Sequence, residues 1–212
     1  MTGRRRIILG ISVVLAAAGI YSGFISTPSG PRDVRQFDPV RVAALELGMW
    51  QAYYDKRNLA LFYGLVTLNR EMYKCPRSTA ARIAFHFARA AGTFGNLRSG
   101  YEQVLPDLEE GYRIARDWSG LTYDPAAIAK AELAWWIARR IPGENRPENV
   151  GGLIADLNAM FYGVPREKVL EASVLRARAG RLRDEGGLTA DWAAISALLV
   201  QSYRSLHDGV SR

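Results

Sequence analysis

Hydrophobic and polar positions follow a helical period along most of the chain after residue 37. The first such stretch begins at Asp38-Pro39. An aspartate before a helix accepts hydrogen bonds from the free amides of the first turn, and proline is tolerated at the first helical position. One apolar face then recurs every three or four residues through Val42, Leu45, Met49 and Tyr53. The pattern predicts a helix that ends near residues 56–58.

Three further helices are predicted before residue 119. The second carries its apolar positions between about residues 61 and 72 and stops before Pro76. The third runs from about residue 76 to residue 91, because Gly92 and Gly95 are expected to break it. The fourth covers about residues 100–118, and Pro106 predicts either a kink or the true start of that helix.

The second half of the chain repeats landmarks of the first half in the same order. The offset between paired positions grows from 86 to 91 residues, and loop-like insertions near residues 142–147 and 184–187 explain the growth. Positions paired in this way are called matched positions below. The landmarks pair Asp38 with Asp124, Glu46 with Glu132, Trp50 with Trp136, Tyr73 with Tyr162, Arg89 with Arg178, and Tyr112 with Tyr203.

This repetition predicts an all-α fold. A duplicated four-helix unit would occupy residues 37–118 and 119–212, giving about eight helices in an α-solenoid-like arrangement or a pseudo-twofold bundle. Coincidental similarity between amphipathic helices is the competing explanation. Alternating strand patterns with turn signals are absent from the sequence, which argues against a sheet-based fold. The resemblance to α-solenoids is one of class only, and the offset differs from that of the tetratricopeptide repeat.

The N-terminal segment predicts a membrane anchor. Arg4, Arg5 and Arg6 precede an uncharged apolar run over residues 7–25, which is close to the minimum length for a spanning helix. Arginines on that side place the N-terminus in the cytoplasm and the bulk of the chain on the periplasmic side of a bacterial inner membrane. A cleaved signal peptide is the alternative, because residues 16–18 are three small alanines. Residues 1–26 form the predicted tip and anchor, and residues 27–36 form a linker interrupted by prolines and a glycine.

Composition narrows the classes of function. The formal net charge is +7, but acidic residues are interspersed among the basic ones instead of leaving a basic stripe with interleaved aromatics. We therefore expect no nucleic-acid partner. The single cysteine, Cys75, cannot form an intramolecular disulfide and lacks the neighbours of a metal knuckle.

Glu46 and Glu132 are the leading candidates for chemistry. Each lies four residues before a tryptophan, Trp50 or Trp136, and each is flanked by apolar residues. Two such carboxylates could form an acid–base pair with one raised pKa, or they could ligate a metal. The structural alternative is that each accepts hydrogen bonds from a nearby arginine or tyrosine, and the matched Arg89 and Arg178 are suitable partners.

Other polar and aromatic residues mark a possible groove. Tyr53-Tyr54 and Trp135-Trp136 are doublets on helices, so one member of each pair should face solvent or a groove. Arg139 follows the tryptophans by about one turn, where it could hold an anion or simply favour the helix C-terminus. His86 is matched by Leu175, which is typical of a packing or rim residue. The candidate groove set is Glu46, Trp50, Tyr53, His86, Arg89, Glu132, Trp136, Arg139 and Arg178.

Motifs for catalysis and for cofactors are absent from the sequence. No Gly-x-Ser-x-Gly elbow, phosphate-binding glycine loop or Glu-x-x-His pair occurs, so we expect no metal site and no cofactor. The sequence therefore favours a membrane-anchored helical module that binds a protein partner in the cell envelope. The alternative is an enzyme or small-ligand-binding protein that uses a groove between the two halves with Glu46 and Glu132.

Overall fold

The computed structural model describes residues 19, 21–28 and 32–211, and within them all regular structure is helical. This confirms the all-α prediction. Two short 3-10 helices, Tyr101–Val104 and Gly187–Thr189, precede the fourth and eighth α-helices. Between residues 32 and 211 the α-helices are α1 (Pro39–Tyr54), α2 (Asn58–Tyr73), α3 (Arg77–Asn96), α4 (Leu105–Ser119), α5 (Pro125–Ala138), α6 (Pro147–Tyr162), α7 (Glu167–Gly186) and α8 (Trp192–Val210).

The two Asp-Pro pairs start α1 and α5 as predicted. The Asp38 carboxylate accepts from the backbone N–H groups of Val40 and Arg41, and Asp124 accepts from Ala126. These side chains satisfy amides that have no partner inside the helix. Pro106 lies in the first turn of α4, so it marks the start of that helix and does not kink it.

The predicted end of the third helix is wrong. α3 continues through Gly92 and Gly95 to Asn96. An internal glycine costs a helix about 1 kcal/mol, which tertiary packing can outweigh. Phe94, which lies between the two glycines, is buried in the core and supplies such packing.

The helices close on themselves. Each packs against its neighbours in sequence, and α1 also packs directly against α8. In an α-solenoid each unit contacts only its neighbours along the stack, so the first and last helices lie apart. The α1–α8 contact therefore fits a closed bundle and not a solenoid.

One main hydrophobic core runs through this bundle and draws buried residues from all eight helices. Glycine permits the closest approach of α6 and α7, since a Cβ built on Gly151 would lie 2.6 Å from the Cα of Val174. A smaller cluster of Ala138, Val150, Ile154 and Ala177 packs with Trp135 beside the main core. It forms the base of the cleft described below.

The predicted anchor at residues 7–25 lies mostly outside the described residues, of which only 19 and 21–25 fall in it, and these are helical. No helix in the described part of the chain combines the length and apolar character needed to cross a membrane. The end of the predicted linker packs onto the bundle. Val34 is buried, and Arg35 donates a 2.8 Å hydrogen bond to the backbone oxygen of Tyr162.

Candidate functional site

Glu46 is a buried carboxylate with three hydrogen bonds. Its side chain lies on the inner face of α1, and the residue is 2% exposed. Oε1 accepts from Nη2 and Nε of Arg176 at 2.6 and 3.0 Å, and Oε2 accepts from the Tyr203 hydroxyl at 2.7 Å. A buried charge is tolerated when it is paired and hydrogen-bonded in this way.

The partners of Glu46 respond to its charge. Burial and the neighbouring carboxylate together raise the pKa of Tyr203 well above its ordinary value, so the phenol stays protonated and donates. Burial works against the charged Arg176 guanidinium. Its attraction to Glu46 and the hydrogen bond outweigh that effect and raise its pKa.

Glu132 is bonded differently. Its Oε2 accepts from the Tyr112 hydroxyl at 3.0 Å, and its Oε1 accepts from the indole N–H of Trp136, one turn along α5, at 2.8 Å. The described contacts give it no arginine partner. Burial and the carboxylate again raise the pKa of the tyrosine well above normal.

The two carboxylates are held by crossed contacts between the halves of the chain. Glu46 of the first half bonds Tyr203 of the second, and Glu132 of the second bonds the matched Tyr112 of the first. Each tyrosine also packs edge to face against the aromatic residue that precedes an Asp-Pro pair. Tyr203 meets Phe37 and Tyr112 meets Tyr123, both at a centroid distance of 6.2 Å. The same pattern of contacts thus occurs at the α8–α1 and α4–α5 crossings.

Arg176 breaks this correspondence. Its matched residue is Phe87, which packs against the Tyr112 ring at a centroid distance of 5.0 Å. A Cβ on Gly111 would lie 2.5 Å from Phe87, so the glycine makes room for that ring. The second half of the chain therefore places a cation beside Glu46, whereas at the matched position the first half places an aromatic ring against Tyr112.

The expectation that Arg89 and Arg178 would hold the glutamates is wrong. Both point outward on their helices, where Arg89 bonds Asp107 at 2.6 Å and Arg178 contacts Glu148 at 3.4 Å. His86 Nδ1 lies 2.9 Å from the same Asp107 carboxylate, so it is a partly buried rim residue of the α3–α4 crossing. The hydrogen bond from Arg89, opposed by partial burial and aided by His86, lowers the pKa of Asp107.

A cleft of about 270 Å³ opens between the end of α1, α5, α6 and the second half of α7. Of the predicted groove residues, Trp50 and Arg139 line it, while Glu46 and Glu132 do not. Tyr53 is 51% exposed on the surface of α1, and Trp136 packs against Phe94 in the core. The other principal residues that line the cleft are Trp135, Val150, Ile154, Arg176, Arg181 and Asp184.

Arg176 joins the buried glutamate to this cleft. Its guanidinium carbon lies 5.1 Å from the centre of the Trp135 ring and 6.0 Å from that of Trp50, which are cation–π distances. Its side chain keeps 26% of its surface exposed. The residue thus neutralises Glu46 on one side and presents a cation to the cleft on the other.

Arg139 places a second guanidinium group at the cleft. Its Nε and Nη2 donate to the Asp184 carboxylate at 2.8 Å each, and Nη2 also donates to the Tyr54 hydroxyl at 3.1 Å. Burial of Tyr54 raises the pKa of its phenol. The guanidinium carbon of Arg183 lies over the Tyr54 ring, 3.3 Å from its centroid. The cleft edge is therefore held by a network that links α1, α5 and α7.

Sequence reasoning missed Arg176, Tyr203 and Asp184 as members of these contacts. The available signal was a charge at one matched position and an apolar residue at the other, as in Arg176 and Phe87. In the described residues, no three acidic, histidine or cysteine side chains are grouped so that they could hold a metal ion.

No protein-family model, curated protein or solved structure matches this chain.

Proposed function

We propose that this chain is a membrane-anchored helical interaction module on the periplasmic side of a bacterial inner membrane, and that a partner protein docks on the exposed apolar face of α2. The observation that carries the proposal is the exposure of that face. Leu59 is 88% exposed and Tyr63 68% exposed, and Phe62 beside them is also exposed. Apolar side chains grouped on the surface in this way are typical of protein contact sites.

Burial of the matched helix supports this choice of face. In α2 the buried residues are Asn69 and Tyr73, although most of the helix is apolar. In α6, eight residues are buried, including Gly151 and Gly152 at the positions matched to Phe62 and Tyr63. The glycines let α7 cover α6, whereas the bulky side chains of α2 face solvent.

We place an exposed residue of α3 on the same face by comparison with the second half of the chain. Gly151 packs against Val174, and the residue matched to Val174 is Phe85 on α3. Phe85 is exposed, and the Arg89 guanidinium lies 5.2 Å from its ring centre. The proposed docking face therefore consists of Leu59, Phe62, Tyr63 and Phe85, with a cation at its edge. Aromatic residues and arginine are the types enriched at protein interfaces.

We further propose that residues 37–118 and 119–212 are two copies of one four-helix unit. The crossed Glu–Tyr bonds support this, because in each bond a tyrosine of one half donates to the glutamate of the other half, and the two tyrosines and the two glutamates are matched. Loss of cover over α2 in one copy is then a specialisation of a common scaffold.

The charge pattern of the N-terminus supports the tether. The arginines at positions 4–6 and the uncharged run after them suit an anchor or a signal peptide, and apolar character that continues to Ile25 favours the uncleaved anchor. Arg77 at the start of α3 donates a 3.0 Å hydrogen bond to the backbone oxygen of Gly23. That bond would hold the bundle close to the end of the anchor and therefore near the membrane surface.

Site-specific photocrosslinking in intact cells tests the docking face. A photoreactive amino acid at position 63 is expected to give one discrete protein adduct, whereas the same group at the exposed position 109 on α4 gives none. The double substitution Leu59→Ser and Phe62→Ser should abolish the adduct, because it removes apolar contact area without touching the core. Adducts to lipid alone, or to a second copy of this chain, would refute the proposed heterologous partner.

A further inference from the structure

We infer that the cleft between α1, α5 and α7 binds a carboxylate that carries an aromatic or apolar group. Trp50 and Trp135 supply aromatic surface, and Val150 and Ile154 form an apolar base. The volume of about 270 Å³ lies just below the usual range for small-molecule sites. The cleft therefore suits a ligand of one ring and a short chain, or a single terminal residue of a peptide.

Two guanidinium groups supply the anion-binding donors. Glu46 occupies Nε and Nη2 of Arg176, and Asp184 occupies Nε and Nη2 of Arg139. A guanidinium carries five N–H donors, two of them on Nη1. Among the described contacts, Nη1 of neither arginine makes a hydrogen bond, and both side chains line the cleft. A carboxylate placed there would gain charge-assisted hydrogen bonds without displacing an existing partner.

The acidic residues of the cleft do not favour a cationic ligand instead. Asp184 already accepts two hydrogen bonds from Arg139 and one from the Tyr54 hydroxyl. Glu185 is bonded by Arg181 one turn away. A cation would have to compete with these arginines, whereas an anion meets donors that remain open. The cleft therefore favours a ligand with a negative charge.

The charged residues of the cleft belong to the second half of the chain and have no charged counterparts in the first half. The residues matched to Arg139 and Arg176 are Tyr53 and Phe87, and the residue matched to Asp184 is Gly95. The matched region of the first half thus lacks the paired arginines. The inference therefore predicts one ligand per chain and not two.

Binding of 3-phenylpropionate to the full-length chain tests the inference, with 3-phenylpropanamide as the uncharged control. The two compounds share the ring and the chain, so their difference reports the carboxylate. We expect saturable shifts of the Trp50 and Trp135 indole N–H signals in NMR spectra, one site per chain, and binding of the amide weaker by about tenfold or more. Equal binding of acid and amide, or the absence of saturable shifts at those two indoles, would overturn the inference.

Variants locate the site. Arg139→Gln is expected to weaken binding of the acid by about tenfold, and Arg178→Gln on the outer face of α7 should leave it unchanged. Gly180→Leu provides a second route that keeps both arginines. A Cβ at Gly180 would make ordinary contacts of 3.8 Å with Arg139 and extend into the cleft, so the variant should fold and lose binding. Retained affinity in Gly180→Leu, or an equal loss in Arg178→Gln, would count decisively against this cleft.

The carboxylate could belong to a free aromatic acid or to the C-terminus of a protein. Acetylated dipeptides that end in phenylalanine, with a free or an amidated carboxyl group, separate these sources. Tighter binding of the free-acid peptide than of 3-phenylpropionate assigns the site to a protein C-terminus, and weaker binding assigns it to small acids. The cleft and the α2 face use different residues, so the photocrosslinking result and this one are independent.

Discussion

Tyr203 on α8 donates a 2.7 Å hydrogen bond to Glu46 on α1, a residue 157 positions earlier in the chain. The matched Tyr112 donates to Glu132 at 3.0 Å where α4 meets α5. In the described structure, only the first carboxylate also holds an arginine. The two crossings therefore share a scaffold but differ in charge, and that difference places a cation at the edge of the cleft.

This asymmetry gives the first prediction. Glu46→Gln removes the carboxylate that pairs directly with the Arg176 guanidinium, and we expect a loss of about 3 kcal/mol in the free energy of unfolding. This is the lower end of the usual range, because Arg176 keeps part of its surface in water. Glu132 makes no direct ion pair in the described structure and attracts Arg176 only at longer range, so Glu132→Gln should cost about 1 kcal/mol. Urea unfolding followed by circular dichroism measures both, and equal losses would contradict the assigned pairing.

The close approach of α6 and α7 gives the second prediction. A Cβ at Gly151 would lie 2.6 Å from the Val174 Cα, and backbone atoms cannot give way without moving the helix. We expect Gly151→Ala to destabilise the fold by about 1–3 kcal/mol.

Gly48→Ala is the control for that substitution. Gly48 also lies inside a helix, but a Cβ there would meet nothing within 4 Å. The change should stabilise the protein by about 0.5–1 kcal/mol, because alanine loses less backbone entropy on folding. If both variants shift the melting temperature in the same direction, the packing explanation fails.

Cys75 gives the third prediction. Burial raises the pKa of its thiol to about 12, so the native protein holds almost no thiolate at pH 8. Ellman's reagent should label it at least about a thousandfold more slowly in the native state than in urea. Rapid labelling of the native protein would show that the thiol is accessible.

The same shift predicts a pH effect on stability. The unfolded thiol ionises above about pH 8.5 while the folded thiol stays protonated, so the unfolded state gains stability as pH rises. The free energy of unfolding should therefore fall from about pH 8.5 upward, and less so in Cys75→Ala. An identical pH profile for the variant would show that Cys75 does not contribute.

Asp107 gives the fourth prediction, with the opposite sign. The hydrogen bond from Arg89 lowers the pKa of its carboxyl in the folded state. The folded state therefore binds this proton more weakly, and the resulting stability is present above the ordinary pKa and lost as pH falls through the folded value. Asp107→Asn should destabilise the protein at pH 6 and have little effect near pH 2.

The control is Asp156→Asn. Its ion pair with Arg166 is half exposed on both sides, so the change should cost less than about 1 kcal/mol at either pH. Chemical denaturation at several pH values compares the two variants. A pH-independent effect of Asp107→Asn would refute the ionic origin of its contribution.

Local features of the sequence predicted much of the secondary structure. Asp38-Pro39 and Asp124-Pro125 start helices because capping and proline tolerance act over three or four residues. The predicted end of α3 was wrong because a contact distant in sequence decided it. Glycine weakens a helix locally, and burial of Phe94, which only the folded chain provides, outweighs that weakness.

The sequence by itself determined that the chain is helical, where α1, α3 and α5 begin, and that Glu46 and Glu132 occupy comparable places. Only the tertiary structure decided that α1 packs on α8, that Arg176 rather than Arg178 faces Glu46, and that the cleft forms beside Arg176 and not between the two carboxylates. Helix starts depend on neighbouring residues, whereas these contacts join residues more than a hundred positions apart. Their partners are selected by which faces of the helices meet, and helical periodicity in one segment cannot specify that.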